Sequence, residues 1–526
     1  MKKLISTILF CVVAVSATAQ NLSVTYVAKN AVRVRYANPA TKSELPDWLY
    51  VKHDVLKQAD INAVVKGNTL IVKDKTGKAI FSAKAHQLVG SEATLTFDSP
   101  KDECLFGLGQ FQDGYSNVRG LSRRLTQVNT QISIPMLISS KGYGVLWNNY
   151  GLTEFNPCSE SIKLIKQAGE GKREVVDVTS TEGGKREVRE RHIFEAAIDI
   201  PEAGDYALLL DVGQKMARRH NLLIDGKPVI EMQNLWLPPT ASKIVHLSKG
   251  KHQLSAELTK DDQPILYYNK VKNETVFRSP VADGVDYTVF VGSPDEIIAT
   301  YRELTGECPL MPDWALGYIH CRERFHSSDE ILQTAHRFRN ENLPVSVMVQ
   351  DWQYWGKYGW NSMRFDEEFY PDPKALTDSL HQMGMKLMLS VWSKIDKNSE
   401  VGKEMEASGH YIPETDWIDF FNPDAAAAYW RNFQQRLLPL GIDAWWQDAT
   451  EPENDDLVGR KVNNGKWTGE QVRNVYPLLV NKTVYEGLLQ AGKEPMILTR
   501  CGFAGIQRYG SAMWSGDVGN DWETFH

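Results

Sequence analysis

The chain has 526 residues, with 59 Lys and Arg against 66 Asp and Glu and a formal net charge of −7. An acidic balance without any run of five basic residues argues against a nucleic-acid partner, and the length calls for two to four folding units. Fifteen Trp and 20 Tyr, many beside Asp, Asn, Gln or Arg, suit sugar recognition as well as ordinary cores.

Lys2 and Lys3 precede an apolar run from Leu4 to Val15 and then Ala17-Thr18-Ala19. This is the order of a secretory signal peptide cleaved after Ala19, so residues 1–19 are expected to direct export to the periplasm or medium. The run is short for a membrane span, and no later stretch is long and apolar enough for one. Cys11 would suit a lipid anchor only behind a small residue, and Phe10 is bulky. Five cysteines follow (Cys104, Cys158, Cys308, Cys321, Cys501), without metal-ligand spacing and odd in number, so no disulfide framework is expected.

Residues 20–155 alternate in short runs such as Ser23-Val24-Thr25-Tyr26-Val27 and Asn68-Thr69-Leu70-Ile71-Val72 between Gly, Asn and Asp, which predicts a β-sandwich. Within it, Phe106-Gly107-Leu108-Gly109-Gln110-Phe111-Gln112-Asp113-Gly114 is expected to be a glycine-rich turn, on the plain reading that of a hairpin, lacking the strand and helix a phosphate loop needs. Residues 156–274 are richer in charge and carry a strong hairpin signal at Asp225-Gly226. Because Tyr287-Thr288-Val289-Phe290-Val291 sounds like the sandwich resuming, the middle piece is expected to be an inserted β-rich module, with 275–312 returning to the sandwich and a linker. One larger β-domain is the alternative.

From 313 to 526 the period changes to strand, helix, strand. Strands are predicted at 315–319, 345–349, 386–391, 443–446, 495–498 and 512–514, with a capping box Ser327-Ser328-Asp329-Glu330 opening a helix to about Asn340 and another helix over 425–438. Apolar strands alternating with helices imply a parallel sheet, and polar, aromatic-flanked strand ends on every strand favour a (β/α)8 TIM-type barrel. Only six strands are counted before His526, so the barrel is expected to be incomplete at its C-terminal end.

The strand ends supply Asp351, Trp392, Asp448, Glu451, Arg500 and Asp517, with Trp446 and Trp514 beside them. Each alone has a plain explanation: an Asp caps a helix, a strand Trp fills a core, and the acidic loop from Asp448 is merely solvated or favours a helix N-terminus. Together they match what glycosidic-bond cleavage needs, namely two carboxylates plus aromatic faces and a charged fork to hold the sugar. No His pair or Cys/His cluster points to a metal, and no Gly-x-Ser-x-Gly elbow points to acyl transfer.

Trp446-x-Asp448-x-x-Glu451-Pro452, Arg500, Gln507-Arg508-Tyr509 and Trp514-Ser515-Gly516-Asp517 resemble glycoside hydrolase family 31, the retaining α-glucosidases and α-xylosidases. So do Trp314 to Tyr318, Arg322 to Phe325, Gln350 to Trp355 and the Gly107-to-Gln110 segment. The resemblance implies Asp448 as nucleophile and Asp517 as general acid/base. It implies Asp351, Trp392, Trp446, Arg500 and Trp514 as substrate-binding residues, Glu451 as a residue orienting the nucleophile loop, and no metal or cofactor. The inserted module is similar to the sugar-binding insert named after anthrax protective antigen. Retention would place the two carboxyls roughly 5–5.5 Å apart, with Asp448 ionised and Asp517 protonated on arrival. Asp448-Ala449-Thr450-Glu451 is closer to the α-xylosidase form than to the Asp-Met-Asn-Glu of many α-glucosidases. An oligosaccharide is therefore the expected partner and α-xylosidase the favoured activity. α-Glucosidase, transglycosylase and a non-catalytic sugar-binding protein are alternatives.

Overall fold

The computed structural model describes residues 21–37, 45–180, 183–453, 456–519 and 522, so the expected signal peptide lies outside the described residues. Two sheets form a sandwich. One runs, edge to edge, through Asn21–Ala28, Ala31–Ala37, Val285–Val291, Tyr143–Trp147, Ile132–Ser139 and Leu105–Gln110. The other holds Asn62–Lys66, Thr69–Lys73, Ala79–Val89, Glu92–Asp98, Glu274–Ser279, Thr153–Phe155 and Arg123–Leu125. Alternate residues of both sheets, including Val32, Val34, Leu70, Val72, Leu95, Phe97, Val145 and Val289, meet in one core, as period-2 alternation requires.

The glycine-rich segment is a turn only in its second half, where the chain bends at Gln112 and Asp113. Its first half lies in the edge strand Leu105–Gln110, and at Gly109 (φ +100°) an added Cβ would sit 2.0 Å from the Ile132 carbonyl oxygen. The glycine therefore permits a bulge pressed against the neighbouring strand, a close approach no side chain would allow.

Thr153–Phe155 and Glu274–Ser279 pair directly, Phe155 opposite Phe277, so the chain between them leaves and re-enters the sandwich at adjacent strands. That excursion builds two further antiparallel sheets around its own core of Phe194, Ile198, Leu208, Leu222, Leu254 and Leu266 among others. Its Asp225-Gly226 turn has both residues in the left-handed region (φ +52° and +75°), as a two-residue hairpin with matching twist demands.

The second half is a parallel sheet of six strands among the described residues: β1 (Tyr318–His320), β2 (Val345–Gln350), β3 (Lys386–Trp392), β4 (Ala444–Asp448), β5 (Ile497–Thr499) and β6 (Ser511–Met513), in that order. Helices α1 (Ser328–Asn340), α2 (Pro373–Gln382), α3 (Glu400–Ala407), α4 (Pro423–Arg436) and α5 (Tyr476–Gln490) pack on one side, contributing Ile331, Leu376, Val401, Phe433 and Val484 to a shared core. Two local expectations change. Residues 313–316 form a 3-10 turn rather than a strand, and β1 begins only at Tyr318. The Ser327 side chain accepts from Glu330 N, but the Glu330 carboxylate reaches back to His326 N, so the capping box is reciprocated one residue early.

Sandwich and sheet share one core, since Val27, Leu49, Met136 and Phe290 pack in the same cluster as the helix-facing strand residues. Polar clamps reinforce the junction. Gln507 Nε2 donates to Thr305 Oγ1 and Gly306 O at 2.8 Å, and the Arg508 guanidinium donates to the carbonyls of Trp48, Leu49 and Thr305. The Gln507-Arg508-Tyr509 motif thus fastens the N-terminal unit to the barrel.

Candidate active site

Strand parity decides which residues face the inside of the curled sheet. Val347 and Val349, Met388, Ala444 and Trp446, Leu498, Ala512 and Ile319 pack together on its inner side, while the residues between them face the helices, as Trp445 does against Phe433 at 4.3 Å. Side chains alternate with period 2, so the inner positions just past these strand residues are Asp351, Trp392, Asp448, Arg500 and Trp514. Five of the sequence-predicted site residues, contributed by five different strands, therefore share one rim with Trp446 beneath them.

Arg500 is its centre. Only 4% exposed, its Nη1 stands 3.3 Å from Asp448 Oδ1 and 3.6 Å from Asp517 Oδ2. Its Nη2 bonds Glu451 and, at 3.0 Å, Glu453. Burial opposes the guanidinium charge, but these four carboxylates overcome that and hold it protonated. The Glu451 carboxylate lies on Arg500 and on the Cys501 thiol, so it supports the site through the arginine. Glu453 was not anticipated from the sequence.

Asp448 accepts a hydrogen bond from Ala449 N at 2.8 Å, in a loop where Ala449 takes a left-handed φ of +50°. Burial pushes its carboxyl up to about 8; Arg500 pulls it down, but the charges of Asp517, Asp351 and Glu451 add to the rise. Desolvation and three neighbouring carboxylates thus work against the ionised form that the sequence leads one to expect, and Arg500 works for it. Asp351, accepting from Trp352 N at 2.7 Å, is likewise pushed up to about 7 by burial, with Glu323 and Asp517 adding to the shift.

The aromatic walls are formed by edge-to-face pairs, Trp446 with Trp514 at 5.1 Å and Trp392 with Trp360 at 4.8 Å. The indole nitrogens of Trp392, Trp446 and Trp360 are buried without a hydrogen-bond partner in the protein, a costly state. Cys321 follows the same parity two residues past Ile319. The residue is exposed, yet desolvation by the protein around its sulfur, and then the carboxylates of Asp351, Asp448 and Glu323, push its thiol up. The same alternation could have located it in the sequence. Among the described residues no group of three or more His, Cys, Asp and Glu has metal-holding geometry, and no helix is long and apolar enough to cross a membrane.

Asp517 differs from the rest. Its side chain is 51% exposed and is reached from outside the barrel: Asn129 Nδ2 donates to its Oδ2 at 2.7 Å, and Asn234 Nδ2 donates to its carbonyl at 2.8 Å. A cavity of about 390 Å³ adjoins the site, lined in part by Asn129, Gln131, Asp211, Lys215, Glu451 and Arg473.

Residues 308–526 match the domain described as the glycosyl hydrolases family 31 TIM-barrel domain. The chain is 30% identical over 489 residues to an α-xylosidase of Saccharolobus solfataricus, covering 88% of this chain and 51% of that protein. It is 31% identical over 264 residues to α-glucosidase 2 of Bacillus thermoamyloliquefaciens, covering 45% and 33%. It thus spans about half the length of the first relative and a third of the second. A solved α-xylosidase of family 31 from Xanthomonas citri superposes with a TM-score of 0.80 at 24% identity, over 97% of this chain and 65% of that one, which establishes a common fold.

Proposed function

Given that the chain belongs to glycoside hydrolase family 31, we propose that it is an exo-acting, retaining α-glycoside hydrolase whose preferred sugar is xylose, released from xyloglucan-type oligosaccharides. The observation that carries this reading is a single buried arginine nitrogen between Asp448 and Asp517, on the rim that Trp392 and Trp514 share. Asp448 attacks the anomeric carbon to form a glycosyl ester while Asp517 gives its proton to the departing oxygen. Water, deprotonated by Asp517, then releases the sugar with net retention. Contact of both carboxylates with one nitrogen is in keeping with the ~5–5.5 Å separation of retaining enzymes. Asp351, raised to about 7, is suited to hydrogen-bond a sugar hydroxyl in either protonation state. Arg500, Trp392, Trp446 and Trp514 complete the pocket around the sugar.

Xylose is favoured by the Asp448-Ala449-Thr450-Glu451 form and by the α-xylosidase relative. Glucose is the second reading, favoured by the α-glucosidase relative. The two sugars differ by one hydroxymethyl group, which a pocket distinguishes by only about 1–3 kcal/mol. Residues 1–19 support export, and the inserted module's likeness to protective-antigen inserts supports a sugar-binding role for it. The test is release of xylose or glucose from the matched aryl α-glycosides, with Asp448→Ala and Asp517→Ala as controls. Xylose release lost in both variants is expected. Preference for the glucoside would reverse the choice of sugar, and no turnover of either would leave a binding protein.

A further inference from the structure

The acid's contacts come largely from residues hundreds of positions away. Asn129 engages Asp517 twice: Nδ2 donates to Oδ2 at 2.7 Å, and Oδ1 accepts from the Asp517 backbone N at 3.2 Å. These two partners fix the orientation of the amide, since a carboxylate accepts and an N–H donates. Asn234, on the strand Lys227–Leu237 of the inserted module, adds its bond to the Asp517 carbonyl. Among the described residues, the barrel's own polar contact with the carboxylate is the longer one from Arg500.

The turn that carries Asn129 is built to hold it still. Val128 and Gln131 close a two-residue hairpin, and Thr130 within it takes φ +71°, a conformation a β-branched residue adopts only when its surroundings impose it. Those surroundings are tight, Asn129 being 2% exposed and Thr130 1%. The side chains of Gln127 and Gln131 bond the carbonyls of Ser133 and Thr126 at 2.9 and 2.8 Å, and Asn474 of the barrel receives Gln127 N. From the other side, Gly516 (φ +82°) brings its backbone against the turn, where a Cβ would lie 2.6 Å from Thr130 N and 2.8 Å from Asn129 Oδ1.

We propose that Asn129, assisted by Asn234, is a positioning residue for the general acid. This rests on the reading of Asp517 as that acid. An amide donor on Oδ2 needs an acceptor there, so the transferable proton resides on Oδ1. In the first step that proton passes from Oδ1 to the glycosidic oxygen, which leaves with the electron pair of the C1–O bond as Asp448 bonds C1. In the second step Oδ1 takes a proton from water. The sandwich and the inserted module thereby set which oxygen performs acid catalysis in the barrel.

The test compares two leaving groups on whichever sugar the wild-type chain releases: the phenyl α-glycoside, which needs a proton, and the α-glycosyl fluoride, which needs none. Asn129→Ala is expected to lower kcat/KM on the phenyl glycoside by about 10–100-fold, a fraction of the ~10²–10⁴ that a general acid supplies, with kcat/KM on the fluoride, which reports a first step needing no acid, changed by less than about 3-fold. Asn234→Ala should move the same ratio in the same direction by about 3-fold. Equal losses on both substrates, or none on either, would overturn the proposal. Should Asn129→Ala fail to fold, the ratio for Asn234→Ala decides by the same criterion. A wild-type chain inactive on both substrates would overturn the functional reading first and the clamp with it.

Discussion

The two carboxylates at the rim are held in opposite ways. Asp448 is 8% exposed, fixed by its own strand, by Ala449 N and by an arginine from the next strand. Asp517 is half-exposed, lies beyond the sheet, and takes its shortest side-chain bond from the sandwich and a backbone bond from the inserted module. Burial suits a group that stays covalently close to one carbon, whereas exposure suits one that exchanges a proton with leaving group and water. On the proposed roles, one half of the chemistry would be intrinsic to the barrel and the other would depend on its neighbours.

The largest effect should separate the pair. Asp448→Ala is expected to lose about 10⁴-fold or more on every leaving group, the glycosyl fluoride included. Asp517→Ala should lose about 10²–10⁴-fold in kcat/KM on the phenyl glycoside and far less in kcat/KM on the fluoride. Parallel losses in steady-state kinetics would erase the distinction between them.

The next effect concerns the buried side alone. Arg500→Met leaves Glu451, Asp448 and Glu453 without their common cation, so a loss of about 3–5 kcal/mol in unfolding free energy is expected by denaturant titration. A stability within ~0.5 kcal/mol of wild type would mean that these charges are solvated rather than buried.

The smallest effect is on pH. Because burial holds the Asp448 carboxyl neutral up to about 8, and only the ionised form attacks, kcat/KM on the glycosyl fluoride, which needs no proton from Asp517, should climb as pH rises toward 8. A profile flat from pH 5 upward would match an ordinary aspartate near ~3.9 and contradict the shift. The sign for stability is the reverse. Between about 4 and 8 the unfolded chain binds fewer protons at this residue than the folded one, so stability falls as pH rises through that window. Asp448→Asn should flatten that fall in thermal melts.

Much of this was legible in the sequence because a strand end is a local feature. Asp351, Trp392, Asp448, Arg500 and Trp514 could be found from apolar runs followed by polar residues, and parity alone gathers them on one face. Their charge states were not legible, since the rise at Asp448 comes from burial and from Asp351 and Asp517, which lie about 97 and 69 positions away. Nor was Asn129, which sits in a strand-like stretch and meets Asp517 across 388 positions. Helix α5 escaped because Tyr476, Leu478, Leu479, Val480, Val484 and Leu488 are buried on nearly every side, which blurs the amphipathic period. The glycine-rich segment misled because a bulged edge strand and a hairpin turn use the same residue for the same backbone freedom.

The central claim is that Asp448 and Asp517 act as a nucleophile and acid pair by double displacement. Proton NMR of the sugar first released from an aryl α-glycoside tests it directly, before mutarotation mixes the anomers. The account predicts the α-anomer; a β-anomer as first product would contradict it.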